Sequence, residues 1–148
     1  MECPWGAACR RSYLVRDYKA LVRRYYAEVW NAWSSHALEE LISPDITFRG
    51  SIGAAVNGIA EFQQYVNRIR AAFPDFHNHI EELIAEGEKV AARLTYTGTH
   101  RGELLGFPAT GNKITYSGIA IFEFAGSKIV RGYVLGDTET LKRQLAQT

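Results

Sequence analysis

Cysteine is scarce in this chain: two residues, Cys3 and Cys9, both within the first ten positions. A disulfide framework is therefore not expected, and without further Cys or His at paired spacing they make no zinc site. They read as bystanders in an irregular N-terminal stretch, residues 1–12. No apolar run approaches the roughly 18 residues of a membrane span, and Met1 to Arg11 lacks the long apolar core of a secretory signal. Neither sign of charge dominates, since 17 Lys and Arg face 16 Asp and Glu for a net charge of +1. Phosphate backbones and anionic lipid call for a basic patch or stripe, so nucleic acid and membrane are not expected partners. The expected compartment is the cytoplasm.

Aromatic rings are abundant instead, 12% of residues with 8 Tyr and 3 Trp, which points to stacking or to the lining of a cavity. A chain of 148 residues predicts one domain spanning 1–148. From Val15 to Trp33 apolar residues recur as Val15, Tyr18, Val22, Tyr25, Val29 and Trp33, steps of three or four that define one helix face. Tyr26 and Trp30 widen that stripe, so the helix lies on something broad. Ser34 or Ser35 caps a second helix, His36 to Ile42, which stops before Ser43-Pro44. A short strand, Ile46 to Arg49, and a glycine-rich loop, Gly50 to Gly58, follow. Asn57 is the expected cap of a third helix with apolar positions Ile59, Phe62, Val66, Ile69 and Phe73, ended by Pro74.

Beyond Pro74 the period changes from three or four to two. Strands are expected at Phe76 to Ile84, Val90 to His100, Ile114 to Phe124 and Lys128 to Gly136, with turn signals at Glu86-Gly87-Glu88 and Gly126. A helix, Thr138 to Ala146, closes the chain. Helices followed by a meander imply an α+β domain: three N-terminal helices on one face of a curved antiparallel or mixed sheet, bent into a cone, plus a short C-terminal helix. Glycines 98, 102, 118 and 132, in or beside the strands, are expected to mark bulges or tight curvature.

Five segments fall in order along this plan. They are Tyr25-Tyr26-Ala27-Glu28-Val29-Trp30-Asn31, Ala72-Phe73-Pro74-Asp75, Thr97-Gly98-Thr99-His100-Arg101-Gly102-Glu103, Gly106-Phe107-Pro108-Ala109-Thr110-Gly111, and Gly132-Tyr133-Val134-Leu135-Gly136-Asp137 with Gln144-Leu145. Together they resemble the SnoaL-like polyketide cyclases, or ester cyclases, a branch of the NTF2-like cone folds, over about residues 17 to 146. The resemblance implies ring closure by intramolecular aldol condensation, with neither cofactor nor metal, and an aspartate as general acid and base. By position that residue is Asp137. Where many relatives carry Glu-His-Trp, this chain has Arg131-Gly132-Tyr133.

Each candidate residue has two readings. Asp137 either faces the cavity beside Tyr133 and Leu135 as the acid/base, with Thr138 capping the last helix, or is itself the cap. His100 is either a proton shuttle or a rim histidine that holds the Arg101 to Gly111 loop. Tyr25, Trp30, Tyr96, Tyr116 and Tyr133 are candidate donors or stacking platforms for a flat ligand, or ordinary core aromatics. Arg49 either offers a fork of donors to a carbonyl-rich ligand or is a surface charge. Arg93, on the opposite parity from His100, belongs to a solvated sheet face. His77 and His79 share a strand face but have no third ligand, so an edge or dimer surface suits them better than a metal.

The expected ligand is a small apolar or aromatic carbonyl compound, and Ile119 and Ile121 on the outer sheet face predict a homodimer. A cyclase or isomerase working by proton transfer is the first functional expectation. A binding module without chemistry and an epoxide-hydrolase-like enzyme on the same scaffold are the alternatives.

Overall fold

The computed structural model describes residues 17–147. The expectations for Cys3, Cys9, the first dozen residues and Val15 lie outside the described residues. Helix α1 (Tyr18–Arg24) starts at Asp17, whose carboxylate accepts from the Ala20 amide at 3.0 Å, and passes without a break into a π-helical turn, Tyr25–Trp30. Helix α2 (Ser35–Leu41) is capped by Ser34, whose Oγ accepts from the Ala37 amide. It runs directly into β1 (Ile42–Arg49), four residues earlier than the apolar pattern suggests. The glycine-rich passage is not wholly loop: it contains β2 (Ala55–Asn57), and Gly58 at φ +86° rather than Asn57 takes the cap position of α3 (Ile59–Ala72). Strands β3 (His77–Glu86), β4 (Lys89–Thr99), β5 (Lys113–Ala125) and β6 (Lys128–Gly136) and helix α4 (Thr138–Leu145) complete the fold.

The six strands form one mixed sheet in the order β2-β1-β6-β5-β4-β3, with β1 parallel to β6 and every other pair antiparallel. The result is an α+β cone, as the change of period predicts. On β4 the inward set is Val90, Ala92, Leu94, Tyr96 and Gly98; on β5 it is Ile114, Tyr116, Gly118, Ala120, Phe122 and Phe124. Tyr18 stacks on Phe124 at 4.6 Å between ring centroids, tying α1 to the far end of β5.

The glycines in the strands serve a purpose different from the one expected. Register shifts occur between Ile80 and Glu82, Glu123 and Phe124, and Ile42 and Thr47, whereas β4 and β5 pair without a break through Gly98 and Gly118. Gly98, Gly118 and Gly132 instead each seat an aromatic ring. A Cβ at Gly118 would stand 2.8 Å from the Tyr96 ring, at Gly132 2.7 Å from Phe48, and at Gly98 3.1 Å from Phe73. Gly102 lies beyond the strand, pressed on the Ala71 carbonyl. Rings from the neighbouring strand or from the end of α3 thus rest on bare backbone.

This packing predicts that Gly132→Ala destabilises the protein by about 1 to 3 kcal/mol, the usual cost of forcing atoms into a filled core. Shrinking the opposing ring with Phe48→Leu should recover part of the loss. Urea unfolding midpoints of the three proteins check it, and a neutral Gly132→Ala would show that the seat is not tight.

Candidate functional site

The π-helical turn is where the site begins. Its wider i to i+5 bonding, seen in the Asn31 amide donating to the Tyr26 carbonyl at 2.9 Å, lets neighbours 25 and 26 and neighbours 29 and 30 all point inward. Asn31 follows and grips β3: its Oδ1 accepts from the Asn78 amide at 2.8 Å, and its Nδ2 donates to the Asn78 carbonyl at 3.1 Å. Asn78 is buried, and Asn31 Oδ1 also accepts from its side-chain nitrogen at 3.2 Å.

These elements enclose a narrow cavity of about 20 Å³, room for one water molecule. Its walls are Tyr25, Tyr26 and Trp30 from the π turn, Phe48 from β1, Ser51 from the loop after β1, Tyr65 from α3, Asn78 from β3, Tyr96 from β4 and Val134 from β6. Ser51 Oγ shares a hydrogen bond of 2.8 Å with the hydroxyl of buried Tyr116. Burial pushes the hydroxyls of Tyr25, Tyr26, Tyr96 and Tyr116 far above their ordinary range. Tyr65 is pushed up to about 12 by burial, held back by the Ser51 hydroxyl and the backbone of Ile52 and Ser51. All five phenols stay neutral at any physiological pH. Neutral, they are able to donate hydrogen bonds.

Asp137 stands outside. Parity along β6 puts Gly132 and Val134 inward, so Tyr133 and Leu135 turn outward, 51% and 58% exposed. The carboxylate caps α4: Oδ1 accepts from the Thr140 amide at 3.1 Å and Oδ2 from the Thr140 hydroxyl at 2.7 Å. The expected inward orientation is therefore corrected in favour of the capping reading, because satisfying the helix end and completing the strand's alternation require the same direction.

His100 is fully buried yet does not line the cavity. Its Nδ1 lies 2.9 Å from Thr110 Oγ1 and 3.3 Å from the Thr110 amide, pinning the loop that starts at Arg101. A backbone amide can only donate, so Nδ1 accepts and the proton sits on Nε2, which has no partner among the described residues. Arg49 also leaves the interior. It donates to the Val134 carbonyl and lies over the outward Tyr133 ring at 5.2 Å, so both these candidates belong to the outer sheet face. Of the candidate residues, Tyr25, Trp30 and Tyr96 come together in the cavity and Tyr116 stands behind them.

Arg93 pairs with Glu82 at 3.1 Å on the solvated face. His77 and His79 are exposed on β3, with His79 Nε2 3.9 Å from Glu81. Tyr65, Ser51 and Asn78 escaped sequence reasoning. Asn78 had a signal, a polar residue in step with inward Phe76 and Ile80. Ser51 had none, since nothing in an irregular loop tells which way a serine points.

An α+β cone with a narrow, aromatic-lined cavity defines a domain of the NTF2-like type. The family model of the SnoaL-like polyketide cyclases matches residues 20–145, and the chain belongs to that family. Among solved structures it is similar to AclR, a putative hydroxylase from Streptomyces galilaeus, at 28% identity and TM-score 0.75, covering 88% of this chain and 81% of that one. TsrD from Streptomyces laurentii is similar at 25% identity and TM-score 0.78, covering 87% and 94%. A putative SnoaL-like polyketide cyclase from Jannaschia sp. CCS1, at 20% identity, TM-score 0.79 and coverage of 87% and 91%, shares the fold. No protein of curated function matches. Among the described residues no helix is long and apolar enough to cross a membrane.

The Thr140 hydroxyl, then the Thr140 amide, hold the Asp137 carboxyl below its ordinary value of 3.8. A depressed folded-state pKa stabilises the fold above the unfolded value and is lost as pH falls through the folded one. Asp137→Ala should therefore lower the urea midpoint at pH 7, and the gap to the parent should close as pH drops below 3.8. Equal midpoints at pH 7 would contradict the cap.

Proposed function

We propose that this protein binds a flat, carbonyl-rich compound of polyketide type in the cone and promotes ring closure within it through tyrosine hydroxyls, with no carboxylate base. The supporting observation is the wall itself: four neutral phenols, Tyr25, Tyr26, Tyr65 and Tyr96, around one cavity, with the Ser51–Tyr116 hydroxyl pair at its edge. A unit with two neighbouring carbonyls supplies its own enol, so the site need not create a free carbanion. The enol carbon attacks a second carbonyl carbon of the same molecule; the new C–C bond forms as the carbonyl π pair moves onto oxygen. That oxygen takes a proton from a cavity phenol, and the enol O–H proton returns through the Ser51–Tyr116 pair to restore it. Donors fixed in a water-poor site, aimed at the developing alkoxide, do the catalytic work.

Simple binding without turnover is the second reading. No Asp, Glu, His, Lys or Arg lines the cavity, which favours it. Epoxide opening would call for a carboxylate to hold water, and the same lining argues against it. The polyketide class of ligand rests on family membership and on the match between planar rings and an aromatic wall. The cytoplasm remains the compartment this reading assigns.

Ring closure of a linear poly-β-ketone ester, followed by chromatography, separates these readings. Removing one donor by Tyr96→Phe should lower kcat about 100-fold, whereas Asp137→Asn should leave turnover within about twofold. Loss of turnover in Asp137→Asn with Tyr96→Phe unimpaired would overturn the phenol mechanism. Binding of the ester without any product would make the chain a binding module.

A second copy of the chain is the proposed partner, seated on the outer sheet face. Ile119 pairs with Leu135 and Ile121 with Tyr133 across β5 and β6, all at least half exposed, so the apolar area is contiguous. The charges around it are matched within the chain, Arg93 to Glu82 and Arg131 to Glu123, which leaves a neutral surface suited to its own copy. Sedimentation should find a dimer at micromolar concentration and a monomer for Leu135→Glu with unchanged far-UV circular dichroism. A monomeric parent protein would overturn it.

A further inference from the structure

We infer that the Gly50–Ala54 segment is the gate of the cavity, and that the Ser51–Tyr116 hydrogen bond is its latch. The inference rests on the reading of the cavity as the ligand site. A space of about 20 Å³ admits no carbonyl compound, so some wall must move. Most of the walls belong to regular elements: β1, β3, β4, β6, α3 and the π turn. Ser51 alone is carried by an irregular segment.

That segment is built to move as one piece. The Gly50 amide donates to the Ala54 carbonyl and the Gly53 amide to the Gly50 carbonyl, both at 2.9 Å, so its backbone bonds close on themselves. Gly53 sits at φ +92°, a conformation that L side chains rarely adopt. Ile52 and Ala54 pack on the edge of the core, and the segment's remaining hold is polar and local. Ser51 Oγ bonds to Tyr116 at 2.8 Å, and the Tyr65 hydroxyl rests against Gly50, where a Cβ would stand 2.0 Å from it. At Gly136 a Cβ would stand 2.4 Å from the Ser51 carbonyl oxygen, so the segment presses on bare backbone there too.

The closed segment also occupies the groups a ligand needs. Ser51 engages the Tyr116 hydroxyl and lies beside that of Tyr65, standing where a ligand oxygen would be received. Opening frees both phenols; closing over a bound compound returns Ser51 to Tyr116 and completes the hydroxyl pair. Ser51 is thus a positioning residue that couples entry to assembly of the site.

Nitration by tetranitromethane, which needs the ring opened to water and ionised and is indifferent to ring closure, tests the gate on the full chain. The rates at Tyr26 and Tyr96 are read by peptide mass in the parent, Ser51→Ala, Tyr116→Phe and the double variant. Each single change should raise both rates about tenfold, the effect of one lost hydrogen bond on an opening equilibrium. The double variant should go no faster than either single one, with amide exchange in β4 and β5 unchanged in all four. Equal nitration in parent and single variants, additive effects in the double, or a rise shared by the β4 and β5 amides would each overturn the gate. Faster nitration together with full turnover by Tyr96→Phe would leave the gate standing and remove the ring-closure reading instead.

Discussion

Aromatic rings lying on bare glycine backbone hold this structure together and limit what it can do. Tyr96 on Gly118, Phe48 on Gly132, Phe73 on Gly98 and Tyr65 on Gly50 occupy places where any side chain would collide. Tyr65 and Phe73 tie the middle and the end of α3 to the sheet and its loop, Tyr96 and Phe48 fill the sheet's inner face, and a small residual space bounded largely by phenols is left. Dispersion and burial thus set the chemistry. A hydroxyl taken out of water in this way keeps its proton at rest and can give it up only to a stronger base, such as an alkoxide formed beside it.

The same constraint explains the fate of Asp137. Gly132 carries no side chain inward from β6, and Phe48 covers the position. Inward Gly132 and Val134 force Tyr133, Leu135 and the strand's last acid to the other side, where the start of α4 offers donors that need an acceptor. The bare inward face at Gly132 and the outward placement of the acid belong to one pattern.

Much of this was legible in the residues. The three-or-four stripe Val22, Tyr25, Val29 marked the first helix, and clean alternation on β4 named its inward face, because backbone period alone decides which side chains share a surface. The boundaries of β6 were visible, but its parity was not: Tyr133 and Leu135 are the apolar choice for an inward face, and only the ring seated on Gly132 reverses it. The π turn was hidden as well. Tyr25 and Tyr26 look like one stripe residue and its neighbour until a shift to i+5 bonding turns both inward. Ser51 and β2 sat in a glycine-rich passage where tertiary contact with Tyr65, Tyr116 and Gly136, not local pattern, sets the conformation.

The central claim is that neutral, enclosed phenols are the working groups of this protein. Carbon-13 labelling of tyrosine Cζ followed by NMR through alkaline pH measures it directly, since the shift reports ionisation residue by residue. Tyr65 should titrate near 12, and Tyr25, Tyr26, Tyr96 and Tyr116 should hold their protons until the fold is lost. Ionisation of these residues together near pH 10, the ordinary value for tyrosine, in a protein still folded would show the cone to be wet and open, contradicting the account.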